Sequence, residues 1–524
     1  MNNDVRCPIK FSFFLASCLF VLVLSSCAEK RGGGLPNYSF SKDLQVDLKY
    51  QVYCGSCHLA PNPKNITKTI WEKNVLPDMA SRLGYKFLNY NPYYKNSMEE
   101  NLLIRMRDIY PENSVIDSLT WRQLYDYIIN MAPDSIPIDT LRTLKNSPLT
   151  QFKSEEINLG EINDAGIINI EFEVLSNQFY IGDTRGEVYK WPIPFDSILK
   201  FNSPMISYNK IGNEQLFTEI GILNPSEKSQ GMIQRKHLQK WDTLVKNLHR
   251  PVFTKVVDLN NDGTNEILIC EFGNFSGELS MLVELENGYE KRTILPVPGT
   301  INLEIQDMNR DGKKDIVVLA SQGNEGIHIL YQSGDLQFKS EQVIKMGPEY
   351  GSSWFECLDY DRDGDLDIVL ANGDNADFTN FPKSYHGIRL FNNDGRNSFV
   401  EEWFYPIYGA TKVLSEDFDL DGDFDFAVIA YFSDYSNYSG QSFVYLENLG
   451  TKNHFVKAYT LINSIKENWL VMDKGDVDHD GDIDLLLGSF VVPSVNDYMS
   501  LFNQKKDGKI DLLFLENQQN NRYR

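Results

Sequence analysis

The sequence predicts a multidomain protein in which a small all-α domain precedes a large all-β array of repeats. Residues 41–137 carry apolar side chains at helical spacing, separated by clusters of Asn and Pro. From Asp258 an aspartate-rich motif occurs five times at intervals of 49 to 59 residues, each copy followed by an apolar run of strand length. A period of that length indicates a propeller or a solenoid. With 42% hydrophobic and 12% aromatic residues, the 524-residue chain can bury large cores.

The N-terminal segment predicts export and attachment to a membrane through lipid. Arg6 and Lys10 precede an apolar run at 11–24, which is short for a membrane span and typical of a signal peptide. The small residues ahead of Cys27 resemble a bacterial lipobox, in which the cysteine is lipidated and becomes the mature N-terminus. Ala28 stands where an inner-membrane retention signal has Asp, which favours the outer membrane. An ordinary signal peptide or an uncleaved anchor is the alternative.

The segment Cys54-Gly55-Ser56-Cys57-His58 is a CxxCH motif, the attachment signature of a c-type haem. Two thiols at this spacing can form thioethers to both vinyl groups of one porphyrin, and the following histidine serves as proximal iron ligand. A redox dithiol, half of a zinc site or a disulfide is the alternative. Neither a second CxxC nor a thioredoxin-like βαβ pattern accompanies the motif.

The residues around CxxCH predict a compact helical unit. Helices are expected at Asp43–Cys54, Ile66–Trp71, Met98–Ile109 and Ser118–Met131. A unit of this size around CxxCH resembles a monohaem class I cytochrome c. That resemblance implies one covalent haem c and a last helix packed on the first.

Met79 is the predicted distal haem ligand, on a loop bounded by proline. Its surroundings, W…LPxMxxRLG, resemble the haem segment of cytochrome c domains fused to VCBS propellers in Bacteroidota. Met79 follows His58 by 21 residues, which is closer than in typical class I cytochromes. Met98 and Met106 have more conventional spacing but lie on a predicted amphipathic helix, where a role in the core is expected. Another methionine, or an open or His-bound distal position, remains the alternative.

Each aspartate-rich copy has oxygen-bearing side chains at positions 1, 3, 5 and 9, glycine at position 6, and a carbonyl available at position 7. Alternate residues of a tight loop point the same way, so these oxygens converge as calcium requires. The motif is not an EF-hand, because the bidentate Glu at position 12 is missing and the flanking residues have strand patterns. Acidic turns without metal are the alternative. The predicted calcium loops comprise Asp258, Asn260, Asp262, Thr264 and Glu266; Asp307, Asn309, Asp311, Lys313 and Asp315; Asp359, Asp361, Asp363, Asp365 and Asp367; Asp417, Asp419, Asp421, Asp423 and Asp425; and Asp476, Asp478, Asp480, Asp482 and Asp484.

The formal net charge of −23 argues against binding to nucleic-acid phosphates. Eighteen Asp and Glu side chains occupy positions 1, 3, 5 and 9 of the five copies, and five bound Ca²⁺ would move the charge to −13. We therefore attribute most of the acidity to the predicted metal-binding loops.

These copies resemble the FG-GAP or VCBS family over residues 250–510, which implies an integrin-like β-propeller with structural calcium. In that family the calcium loop joins the first two strands of a blade. Strand patterns in Leu144–Leu248 predict two more blades without calcium loops, giving seven in all.

The predicted organisation is a signal peptide at 1–26, lipidated Cys27 and a tether at 27–40, a cytochrome c domain at 41–140 and a propeller at 141–524. This predicts an exported, lipid-anchored electron-transfer protein whose propeller docks a redox partner or an extracellular ligand. Two alternatives are an adhesion or glycan-binding propeller with an accessory haem, and an oxidoreductase with its substrate site on the propeller. The sequence favours a carrier or binding protein over a stand-alone enzyme. The long loop Asn372–Gly387 is the candidate for a ligand pocket, with a solvated insertion as the alternative.

Overall fold

The structure is a computed structural model, and the residues it describes are 46–87, 89–136, 147–159, 166–192, 198–375, 381–434, 440–450, 456–461, 467–490 and 510–520. The predicted signal peptide, Cys27 and the tether lie outside these ranges. The helices are α1 (Val46–Cys54), α2 (Lys68–Ile70), α3 (Leu76–Arg82), α4 (Met98–Met106) and α5 (Ser118–Met131). A 3₁₀ turn at Pro63–Asn65 and a π-helical turn at Trp71–Val75 lie between α1 and α3.

The helical unit is held by caps and by contact between its first and last helices. The Asp117 carboxylate caps α5 by accepting the backbone N–H groups of Leu119 and Thr120, both at 2.9 Å. The rings of Tyr50 on α1 and Tyr127 on α5 lie 5.4 Å apart. An aromatic-rich core of buried side chains lies beneath these helices.

Twenty-nine strands are assigned among the described residues. They are β1 (Ser147–Pro148), β2 (Phe152–Ile157), β3 (Ile167–Glu173), β4 (Gln178–Asp183), β5 (Glu187–Trp191), β6 (Leu199–Lys200), β7 (Met205–Ile211), β8 (Glu214–Glu219), β9 (Gly231–His237), β10 (Lys240–Leu248), β11 (Pro251–Val257), β12 (Glu266–Glu271), β13 (Glu278–Leu285), β14 (Gly288–Leu295), β15 (Thr300–Gln306), β16 (Asp315–Ala320), β17 (Gly326–Gly334), β18 (Gln337–Lys345), β19 (Ser352–Leu358), β20 (Asp367–Asn372), β21 (Gly387–Asn393), β22 (Phe399–Pro406), β23 (Ala410–Glu416), β24 (Asp425–Ala430), β25 (Phe443–Asn448), β26 (Val456–Thr460), β27 (Trp469–Gly475), β28 (Asp484–Ser489) and β29 (Leu512–Asn517).

These strands form seven sheets arranged as the blades of a β-propeller, which confirms the predicted seven blades. Five blades, from β3 to β22, consist of four consecutive strands, and β23 to β26 form the sixth with β1 added at its edge. The seventh contains β27 to β29, and its outer strand is β2, paired antiparallel with β29 from Phe152–Asn517 to Ile157–Leu512. Strand β2 from the start of the ring thus completes the blade at its end.

The cores of the propeller lie between blades. The second strands β12, β16, β20, β24 and β28 are buried at all six positions. One cluster joins Phe418 and Ile429 of the sixth blade to Trp469 and Leu487 of the seventh. Because each sheet buries both faces against its neighbours, these strands are continuous apolar runs.

Carboxylates on the innermost strands tie neighbouring blades together around the central channel. At four junctions a carboxylate accepts the backbone N–H of the next inner strand. The pairs are Glu171 with Tyr208, Glu304 with Cys357, Glu356 with Ser415, and Asp473 with Phe172. Burial raises the pKa of Glu171 to about 7, and burial with the nearby charge of Glu356 raises that of Glu304 to about 7.

These shifts predict a pH dependence of stability. The folded state binds more protons than the unfolded state between the ordinary Glu pKa of about 4.3 and the raised value, so unfolding free energy falls as pH rises towards about 7. Denaturant titrations from pH 5 to 8 at saturating Ca²⁺ measure the slope of the unfolding free energy against pH. Glu304→Gln, which keeps an acceptor for Cys357, is expected to reduce it, while Glu341→Gln on the exposed face of β18 leaves it unchanged. Equal slopes for wild type and Glu304→Gln would show that Glu304 titrates normally.

Candidate functional site

The CxxCH segment begins at the C-terminal end of α1. Cys54 is the last residue of the helix, and the Gly55 N–H closes the final turn on the Gln51 carbonyl at 3.0 Å. Cys54 packs against the helical core, Cys57 is exposed, and His58 is half-buried with Nδ1 2.9 Å from its neighbour's carbonyl at Leu59. Both thiols are free. The motif thus presents two thiols and an imidazole at the edge of an aromatic-rich core.

This environment disfavours a redox dithiol. Burial raises the pKa of the Cys54 thiol to about 12. Reactive CxxC thiols instead have lowered pKa values, commonly at helix N-termini, whereas Cys54 lies at the negative end of the α1 dipole. Three described groups of acidic side chains have ligand atoms converging within 4.8 Å, and Cys54, Cys57 and His58 are not among them.

The methionines differ from expectation in two ways. Met79 does not lie on a loop; it is half-buried on α3, because Pro77 is tolerated in the first turn of a helix. Met98 and Met106 do not enter the core. They are 90% and 75% exposed, with Leu102 between them at 59%, and form an apolar stripe on the outer side of α4. Ile104 is the buried residue of this helix.

A charged cluster flanks Met79 on α3. The Asp78 carboxylate accepts hydrogen bonds from Arg82 Nε at 2.9 Å and from the Tyr110 hydroxyl at 2.8 Å. Burial lowers the pKa of Arg82, but the charge and hydrogen bond of Asp78, with smaller contributions from Tyr110 and Cys57, raise it overall. Arg82 therefore lies within electrostatic range of the exposed thiol of CxxCH, one helical turn from Met79.

The five acidic loops join the first and second strands of the third to seventh blades, always on the same face of the propeller. Each loop has a left-handed residue at position 4 and a glycine with φ from 83° to 97° at position 6. At Gly263 and Gly312 nothing lies within 4 Å of where a Cβ would stand, so the backbone angle, not space, requires glycine. Position 9 begins the second strand of each blade.

The loops are shaped by their own carboxylates. The Asp at position 1 accepts the N–H of the glycine at position 6, as from Gly263 to Asp258 at 3.0 Å. Position 9 accepts the N–H of position 2, as from Leu259 to Glu266 at 2.9 Å. The same two roles recur at Asp307 and Asp315, Asp359 and Asp367, and Asp476 and Asp484.

Three loops fit a hard divalent cation. In each, the carboxylates at positions 1, 3 and 5 offer oxygens within 4.8 Å of one another; these are Asp359, Asp361 and Asp363; Asp417, Asp419 and Asp421; and Asp476, Asp478 and Asp480. Five oxygens in these loops are buried without a hydrogen-bond partner among the described residues. They are Oδ1 of Asp359, Asp417, Asp423 and Asp482, and Oδ2 of Asp480. Buried unpaired carboxylate oxygens are costly unless a cation receives them.

The electrostatics of these loops agree with that fit. Burial, followed by the charges of neighbouring aspartates, raises the pKa of Asp419 and Asp423 to about 6. Burial is also the main cause that raises the pKa of Asp425 to about 8 and the pKa of Asp484 to about 7. Converging carboxylates repel one another, so a bound cation stabilises their ionised form.

The first two loops carry less negative charge. Position 3 is Asn260 or Asn309, and Asn260 Nδ2 donates to Asp262 at 3.0 Å. In the second loop the Lys313 ammonium lies 3.2 Å from Asp311. We expect these two loops to hold a divalent cation less tightly than the other three.

The helical unit docks on the propeller face opposite the acidic loops. Its partners lie in loops between second and third strands, or between blades, which end on the other face. Arg107 pairs with Glu227 at 2.5 Å, and Ser226 donates to Glu100 at 2.6 Å. The Arg82 guanidinium lies 5.2 Å from the ring centroid of Phe275.

A second set of docking contacts surrounds the chain after CxxCH. Glu349, between the fourth and fifth blades, accepts from Asn62 N–H at 3.1 Å and Asn65 Nδ2 at 2.9 Å. Tyr385, in the long loop predicted as a ligand pocket, donates to the Asn65 carbonyl at 3.2 Å. The described part of that loop thus contacts the helical unit. Sequence reasoning missed this interface, since its partners are 120 to 320 residues apart.

Comparison with known proteins identifies part of the propeller. Residues 307–370, which contain the second and third acidic loops, match the family model of the FG-GAP-like repeat. No curated protein matches the chain. The chain therefore contains a seven-bladed β-propeller with an FG-GAP-like repeat, and such a propeller suggests a binding or docking role.

Several solved structures align with the chain at low sequence identity. YCF48 from Cyanidioschyzon merolae aligns with 10% identity over 69% of this chain and 98% of its own, with a TM-score of 0.42. The Pan2 WD40 domain of Neurospora crassa aligns with 13% identity over 71% and 96%, with a TM-score of 0.40. A periplasmic gluconolactonase of Pseudomonas aeruginosa aligns with 9% identity over 56% and 85%, with a TM-score of 0.38.

Among the described residues, no helix is long and apolar enough to cross a membrane.

Proposed function

We propose that the protein is an exported, lipid-anchored c-type cytochrome that transfers electrons, and that its calcium-stabilised propeller docks a redox partner or ligand. The observation that carries this proposal is the CxxCH segment, with one thiol against an aromatic-rich helical core, one exposed, and a half-buried imidazole. Cys54 and Cys57 would hold the haem, and His58 would be its proximal ligand. The haem supplies reversible one-electron chemistry.

The chain's own residues would orient and enclose the group. Cys54 is fixed by its packing at the end of α1, while the exposed Cys57 is accessible for thioether formation. The Tyr50 hydroxyl and Trp71 Nε1 hold the following loop by donating to the carbonyls of Pro61 at 2.5 Å and Pro63 at 3.0 Å. Arg82 supplies positive charge near Cys57.

Met79 remains the proposed distal ligand. Met79 lies one turn before Arg82 on α3, so the two side chains are on the same face of the helix. Arg82 is within electrostatic range of Cys57. Met98 and Met106 project to solvent from α4, which makes them weaker candidates.

Met79→Ala is expected to remove the thioether-to-iron charge-transfer absorption of the oxidised protein and to lower its reduction potential, because a thioether favours reduced iron. Met106→Ala is the matched control, since its side chain is exposed. Survival of the charge-transfer band in Met79→Ala would assign the distal position to another residue.

The acidic loops are proposed as Ca²⁺ sites, up to five in number. The unpartnered oxygens and convergent carboxylates of the three Asp-rich loops support this, and the ion would be structural because its ligands lie within single loops. The same face carries no part of the helical unit's described docking contacts. The propeller therefore has a calcium-loop face available for a partner while its other face holds the cytochrome.

A redox titration of the purified protein with small mediators tests the proposed function. Reversible one-electron reduction and reoxidation without added substrate is expected for a carrier. An organic substrate that reduces the haem directly would favour an oxidoreductase instead. If none of the mediators exchanged electrons with the haem, the proposed electron transfer would be contradicted.

A further inference from the structure

We propose that Glu349, a residue of the propeller, positions the loop that follows the proximal histidine and sets the reduction potential of the haem. This inference rests on the proposed function for its redox part. Its positioning part rests on the interface alone.

Glu349 lies between β18 and β19 and is 8% exposed. Its Oε1 accepts hydrogen bonds from the Asn62 N–H at 3.1 Å and Asn65 Nδ2 at 2.9 Å. Asn62 is four residues after His58, so a buried carboxylate from the propeller fixes the chain that leaves the CxxCH motif. Hydrogen bonds to a charged acceptor are roughly twice as strong as those between neutral groups.

The second oxygen of this carboxylate is unusual. Glu349 Oε2 is buried and has no hydrogen-bond partner among the described residues. A carboxylate that only held the loop would be expected to satisfy both oxygens, whereas one oxygen of Glu349 lies buried at the interface without a donor from the described residues. Burial, and then electrostatic interaction with Cys54 and Glu349, raises the pKa of Tyr50, which packs with Cys54 in the helical core.

One cation and two other polar groups surround Glu349, and a hydrogen bond of the cation goes to the Glu349 backbone. The Lys383 ammonium lies 3.4 Å from the Glu349 backbone carbonyl, and Tyr385 and Glu325 lie in the range of its field. A buried anion near a haem favours the oxidised form, because oxidation adds a positive charge. Glu349 is therefore expected to hold the potential lower than the axial ligands alone would set it.

A substitution at Gly347 offers a second way to displace the Glu349 carboxylate, because there is no room for a side chain between them. A Cβ at Gly347 would lie 2.4 Å from Glu349 Oε2 and 2.8 Å from its carboxylate carbon. Gly347→Ala should therefore push the Glu349 side chain from Asn62 and Asn65 without changing any charge. Glu349→Gln keeps an oxygen acceptor and removes only the charge, and Glu349→Ala removes both.

Two measurements on the full-length purified protein test this inference. Hydrogen exchange of residues 59–66 is expected to accelerate on the order of tenfold in Glu349→Ala and Gly347→Ala, since the Asn62 amide loses its acceptor, and to stay unchanged in Glu341→Ala on exposed β18. Unchanged exchange in both variants overturns the positioning role, whether or not haem is bound.

Potentiometric titration tests the redox role. Glu349→Gln is expected to shift the potential to more positive values with an unchanged haem spectrum, and Glu341→Gln to leave it in place. An unmoved potential in Glu349→Gln, with a normal spectrum, overturns the redox part of this inference while the proposed function stands. A protein without haem overturns the proposed function and that redox part together.

Discussion

Removal of calcium from the purified protein is expected to lower the midpoint of thermal unfolding by about 10 °C. Each site filled at 100 times its Kd stabilises the folded state by about 2.7 kcal/mol, so three tight sites contribute about 8 kcal/mol. A shift of about 1–2 °C per kcal/mol is reasonable for a propeller of this size, since the shift falls with chain length. Thermal unfolding before and after EGTA, with the metal content measured, checks this expectation.

Matched substitutions separate calcium from general charge effects. Asp421→Asn removes one carboxylate from a loop with unpartnered oxygens and should lower both the calcium stoichiometry and the midpoint. Asp126→Asn, at an exposed position on α5, removes the same charge and should change neither. Magnesium should restore less stability than calcium, because it keeps its water and demands a smaller octahedral site. An unchanged midpoint after complete removal of calcium would contradict a structural role.

Double substitution Cys54→Ser and Cys57→Ser is expected to abolish covalent haem. The thioethers are the only covalent link that CxxCH provides, so haem-dependent peroxidase staining should vanish from denaturing gels. The calcium-dependent unfolding of the propeller should persist, because its blades lie in a separate part of the structure with their own cores.

Cys270→Ala is the control for that pair. Cys270 is a buried free thiol on β12, within a core cluster of the propeller, and its substitution should leave staining intact. Single substitution at Cys57 should retain one thioether and shift the reduced absorption band to longer wavelength, since one vinyl group remains conjugated. Covalent haem in the double variant would contradict attachment at CxxCH.

Local features of the fold followed directly from sequence pattern. The period of the aspartate-rich motif predicted repeated blades, and the fully buried second strands are the apolar runs that follow each motif. Helix α5 spans Ser118–Met131 as its spacing predicted, because an Asp cap and an amphipathic pattern define both ends. Seven blades could be counted because strand patterns precede the first acidic copy.

Features that depend on the folded surroundings of a residue could not be predicted from the sequence pattern. Met79 was expected on a loop because proline follows Leu76, but proline at the start of a helix is compatible with α3. Met98 and Met106 fit an amphipathic pattern whose apolar stripe faces solvent. The docking of Asn62 on Glu349 joins residues 287 positions apart and leaves no periodic signal. Pairing of β2 with β29, which closes the ring, is likewise a property of the folded chain.

The absorption spectrum of the dithionite-reduced, full-length protein, produced in a host that matures c-type cytochromes, tests the central claim most directly. We expect a sharp c-type α-band and one covalently bound haem per chain, measured as the pyridine haemochrome. A purified, folded propeller with free Cys54 and Cys57 thiols and no α-band would contradict it.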